Sequence, residues 1–148
     1  MSELSDQAAQ ALGDALGAEH AALWVHGLAN AFAGEARVRG AIEEATDQHL
    51  RLRDQAEQAM RQAGLTPTPA QPAYAVGDVG DQKQAIELLI TAESDCQVGW
   101  RSVLDNAEDP GLRRLALDGL TTSATRATRW RLTVGKQPAV ENFPGQPS

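Results

Sequence analysis

The stretch GLTPTPAQPAYAVGDVG, residues 64–80, decides the fold. Prolines at 67, 69 and 72 and glycines at 64, 77 and 80 exclude a regular helix and favour an extended path. A long structureless connection is uncommon in a compact domain, so it needs a geometric reason. The helix expected before it, Glu35 to Ala63, would be about 43 Å long at 1.5 Å per residue. A mostly extended segment of this size reaches about 50 Å. It can therefore return along the whole length of a bundle, so that the helices on either side of it run parallel. The other breaks, at Gly34 and at Asp109–Pro110, are short. They force antiparallel neighbours. The expectation is an all-α, ferritin-like four-helix bundle with a long crossover between helices two and three.

Periodicity supplies the helices. Helix one is expected over Ser5–Ala33, with the buried stripe Leu12, Leu16, Glu19, Leu23, His26 and Asn30. Helix two carries Val38, Ile42, Ala45, His49, Leu52, Ala56 and Met60, and Gly64 suits a left-handed C-terminal cap. Helix three, Asp81–Ala107, carries Ile86, Leu89, Glu93, Cys96, Trp100 and Val103. Helix four begins with Asp109 as N-cap and Pro110 in its first turn. It continues to Val134 through Leu112, Ala116, Gly119, Ser123, Arg126 and Trp130. Residues 1–134 thus read as the bundle. Residues 135–148, with three prolines and no helical period, read as an extended tail, either docked through Phe143 or disordered. There is no internal repeat.

Composition narrows the function. The 148 residues suffice for one domain with a real core. A net charge of −7 argues against nucleic acid and anionic membrane, which both demand a basic surface. The sole cysteine, Cys96, allows no internal disulfide, and the polar, acidic N-terminus lacks the pattern of a secretory signal. Together these suggest a cytoplasmic protein. P-loop, GxGxxG, CxxC and HExxH patterns are absent.

What remains is a polar layer. Glu19, His49, Glu93 and Arg126 each lie on the apolar stripe of a different helix, near its middle. In a bundle they would meet in the core, where charge is costly unless it is paired or bound to metal. In ferritin-like proteins two helices each give a Glu and two each give Glu-x-x-His. Here helices one and three give Glu19 and Glu93, and helix two gives His49 with Thr46 in place of the Glu. Helix four has Ser123 and Arg126 where that motif has Glu and His.

The stretches AEHAALWVHGLANAF (18–32), HLRLRDQAEQAMRQAG (49–64), PAYAVGD (72–78) and AESDCQVGWRSVLDNA (92–107) resemble an alanine-rich, actinobacterial ferritin-like domain family of unknown function. The resemblance implies a four-helix bundle and a cytoplasmic dimer, and no established activity. The wider superfamily implies Glu19, His49 and Glu93 as metal ligands by position.

Three readings follow. The preferred one is a non-catalytic module with a degenerate two-metal site, in which Arg126 neutralises Glu19 or Glu93 and no cofactor binds. A second is a metal-binding protein or oxidoreductase with one Fe, Mn or Zn ion on Glu19, His49 and Glu93. A third is a bundle that binds a small anionic ligand, of unknown identity, at Arg126. His20 should be partly exposed, being about 100° around the helix from Glu19. His26 reads as a satisfied core residue, Tyr74 as packing and Cys96 as an inert thiol. Ser123 has no His at a spacing that suggests a triad. Trp24, Leu28 and Phe32 form a second apolar stripe on helix one, the expected face of a homodimer.

Overall fold

The computed structural model describes residues 3–147, which form four helices and no strand. They are α1 (Asp6–Phe32), α2 (Ala36–Gln62), α3 (Gln82–Asn106) and α4 (Pro110–Val134). Each start has a chemical reason. The side chains of Ser5, Asp81 and Asp109 accept from the backbone N–H three residues on, which caps α1, α3 and α4. Helix α2 has no such cap of its own. Instead Gln82 Oε1, at the start of α3, accepts from the backbone N–H groups of Gly34 and Glu35 at 2.9 and 3.0 Å. Gly64, at φ 78°, closes α2, with the N–H of Leu65 donating to Met60 O.

The Gln82 bonds also fix the topology. They put the start of α3 beside the start of α2, so the two helices run parallel and residues 63–81 cross the full bundle. Helix α1 packs on α2 and α3, α3 packs on α1 and α4, and α2 and α4 touch at few points. Small residues set the spacing. A Cβ on Gly99 would lie 2.9 Å from Ala15 Cα, and one on Gly119 would lie 2.6 Å from the Trp100 ring. Only glycine fits at either position unless the helices separate.

The stripes of α2, α3 and α4 are buried residue for residue. Helix α1 departs from its expected stripe: Leu23 is half-buried and Asn30 exposed. Ala8, Ala11, Ala15, Ala22, Val25 and Ala29 face inward instead. Two causes combine. A straight helix drifts about 20° per heptad from a strict four-three spacing. And α1 is covered on three sides, by α2, α3 and the crossover, so its buried face is wide rather than a stripe.

The crossover lies in a track of small residues on α1. Thr68 donates its hydroxyl to Gly13 O at 2.9 Å, and its own carbonyl accepts from His20 Nε2 at 2.9 Å. His20 is therefore buried rather than partly exposed. Trp24 and Tyr74 meet with ring centroids 6.2 Å apart. The Tyr74 hydroxyl accepts from Gln71 N–H within the crossover and does not point to the core layer.

Beyond Gly135 the chain folds back over α3 and α4. Glu141 pairs with Arg131 at 2.6 Å, Arg101 donates to Pro144 O, and Gly145 packs against Gln97. Phe143 stays 65% exposed, so these contacts dock the tail and Phe143 does not.

Candidate functional site

Halfway along the bundle Glu19, His49 and Glu93 have no solvent exposure, and Arg126 has 7%. His49 stands between the two carboxylates. Its Nδ1 is 2.5 Å from Glu19 Oε2 and its Nε2 is 3.0 Å from Glu93 Oε2. Nδ1 faces an oxygen that only accepts, and Nε2 lies closer to Glu93 Oε2 than to the Arg126 Nη2 donor at 3.2 Å, so both nitrogens donate and the ring is a cation. Burial opposes that charge, yet the hydrogen bonds to Glu19 and Glu93 raise the pKa of His49 to about 9. Glu93 shows the opposite balance. Burial favours its acid form, but the nearby His26 ring, the hydrogen bond and charge of His49 and the charge of Arg126 hold it far below the usual carboxylate range.

Arg126 completes the layer. Its Nε donates to Glu93 Oε2 at 2.8 Å and its Nη1 to Gln48 Oε1 at 2.6 Å. Ser123 Oγ accepts from Nη2 at 3.4 Å. Trp100 adds an Nε1–H donor to Glu19 Oε1 at 2.9 Å. Two carboxylates thus face two cations, a balance that removes much of the cost of burying any one of them.

Three participants escape a reading by stripe alone. Trp100 reads as apolar filling, and its indole N–H needs a partner only because it is buried. Gln48 is the chain neighbour of His49 yet reaches the guanidinium. His26 is satisfied at one nitrogen only: Nδ1 donates to Ala22 O at 2.6 Å, while Nε2 has no hydrogen-bond partner and lies 3.6 Å from Glu93 Oε2. Glu93 Oε1 is also without a partner. The lone thiol behaves as expected. Burial, then the charges of Glu19 and Glu93, push Cys96 well above its ordinary pKa, and it stays protonated.

Among the described residues two sets of donors are close enough to share a cation: Glu19, His49 and Cys96, and His26, His49 and Glu93. A bridged pair of metal ions does not fit these residues. Thr46 bonds back to Ile42 O at 2.7 Å, Ser123 offers one neutral oxygen, and Arg126 brings a fixed positive charge against Glu93. The donor set left over is that of a single ion at most.

Comparison with known proteins adds kinship without chemistry. The profile of a domain of unknown function (DUF4439) matches residues 11–148. Among solved structures, the chain is similar to the crystal structure of a conserved hypothetical protein, rv2844, from Mycobacterium tuberculosis. The identity is 31%, over 87% of this chain and 98% of that one, with a TM-score of 0.83. Among curated proteins nothing matches.

Proposed function

Since this chain belongs to the DUF4439 family, a domain of unknown function, we propose that it is a non-catalytic member of the ferritin-like superfamily. Its two-metal site has been replaced by a charge-balanced polar layer, and it acts as a structural or interaction module in a reducing compartment such as the cytoplasm. The observation that carries this reading is the Arg126 Nε to Glu93 Oε2 bond of 2.8 Å. A guanidinium there takes the carboxylate that a metal would need, and supplies the charge that a metal would bring.

One observation favours a rival. His26 Nε2 and Glu93 Oε1 are buried without partners, and His26 already donates its other ring nitrogen to a carbonyl, as metal-bound histidines do. A single ion on His26, His49 and Glu93 would require His49 to lose a proton and Glu93 to share its charge between the ion and Arg126. Metal analysis of protein purified without chelator decides between the two. The expected result is far less than one equivalent of Fe, Mn or Zn per chain, and no rise in melting temperature when any of them is added. One retained equivalent would sink the structural reading.

The assembly we propose is a homodimer on the outer stripe of α1. Leu28 and Phe32 are only half-buried, and Trp24, though packed on Tyr74, is not fully covered. A two-fold axis beside them would bury like against like. Light scattering should then return twice the 15.8 kDa chain mass, and Leu28→Glu should halve it. A wild-type mass of one chain would rule the dimer out.

A further inference from the structure

The open side of the bundle, between α2 and α4, carries a cleft of about 220 Å³. It exists because these two helices touch at few points and because α2 presents alanines, Ala41 and Ala45, on that side. Val38, Ala45 and Trp130 give it an apolar lining. Three arginines line it as well: Arg37 from the first turn of α2, Arg129 from α4, and Arg126. One carboxylate, Glu44, opposes them. Among the described residues neither Arg37 nor Arg129 makes a salt bridge, and both are exposed.

Arg126 is not saturated either. A guanidinium has five N–H donors. Glu93, Gln48 and Ser123 take one each. The nearest remaining nitrogen, His49 Nε2, carries its own proton toward Glu93 and accepts nothing. Donors are thus left over on a side chain that lines the cleft and is more than nine-tenths buried.

We propose that the α2–α4 cleft binds a small organic carboxylate with an apolar body, its charge held by Arg37 and Arg129 with help from Arg126. An apolar wall beside unpaired guanidinium groups is the arrangement that recognises such a molecule: the carboxylate takes charge-assisted, bidentate hydrogen bonds and the body leaves water. The positive end of α2 adds to the attraction. Pockets for drug-sized ligands run from about 300 Å³ upward, so this cleft suits something smaller. The inference goes beyond the structural reading and does not depend on whether the polar layer holds a metal.

The test is a titration of isotope-labelled protein with sodium benzoate, followed by amide chemical shifts at constant ionic strength. Benzamide serves as the neutral isostere and inorganic phosphate as the bare anion. Benzoate should give saturable shifts confined to residues 37–48 and 126–133. Benzamide should bind about tenfold more weakly or not at all, as expected for loss of one charge-assisted contact. The exposed pair of changes R37Q and R129Q should weaken benzoate by a similar factor while leaving the melting temperature unchanged. No saturable shift, or equal binding of benzamide, or full affinity in the double variant, overturns the proposal. Phosphate binding at the same residues as tightly as benzoate overturns the ligand class.

Discussion

Arg126→Ala is expected to destabilise the bundle by about 3–5 kcal/mol, the usual effect of stranding one partner of a buried ion pair. The change removes the Nε–H that Glu93 Oε2 accepts at 2.8 Å and leaves Gln48 without its donor. The layer also acquires one uncompensated negative charge, because the His49 cation is then left to face both Glu19 and Glu93. For a chain of this size the loss corresponds to a fall of roughly 10 °C in melting temperature. Arg129→Ala, one turn further along α4 and exposed, is the matched control and should change little. Equal melting temperatures for the two variants would mean that Glu93 finds another partner, and that the layer does not rest on Arg126.

The topology was legible in the sequence because one segment had no alternative. Three prolines and three glycines in residues 64–80 forbid a fifth helix, and the other two breaks are too short for anything but a reversal. The stripes of α2 and α4 were legible because each of those helices turns one face to the core, and that of α3 because the expected positions all fall within its wider buried face. Helix α1 was harder, since it is buried on several sides and a wide buried face leaves no sharp period to read. The track that receives the crossover was nevertheless present in the pattern: Gly13, Gly17, His20 and Trp24 recur at helical spacing, with two residues that lack a side chain. His20 belongs to it, and a reading that asked only about the Glu19 face passed it by. The chemistry of the layer was less legible than its membership. Whether Arg126 meets Glu93 or Glu19, whether the free nitrogen of His26 turns toward the layer, and whether Trp100 offers an N–H all depend on rotamers, which spacing does not encode. Function was not legible at all, since no residue pattern here belongs to one reaction and the family carries no assigned activity.

Stability should fall by at most about 3–4 kcal/mol as pH rises from 6.5 to 9. The pKa of His49 is about 9 in the folded chain against 6.5 in the unfolded one, so the folded state holds the proton more tightly. Its contribution is complete below 6.5, where both states are protonated, and is lost as pH rises through 9. The 2.5-unit difference sets the ceiling, at about 1.4 kcal/mol per unit. Glu93 acts with the opposite sign. Its pKa is lowered from 4.5, so its contribution is present above 4.5 and is lost as pH falls below that value. The two windows leave a stability maximum between about 4.5 and 6.5. Cys96 would add a further loss near and above its unfolded pKa of 9, because its thiol is held protonated in the core. A Cys96→Ala background removes that contribution and isolates the layer. Urea unfolding at pH 6 and pH 9 in this background then reads the His49 effect directly. His49→Gln should flatten the difference, since glutamine can donate to only one of the two carboxylates and does not titrate. A wild-type curve already flat between these pH values would mean that His49 is neutral in the fold, with Glu93 held by Arg126 alone.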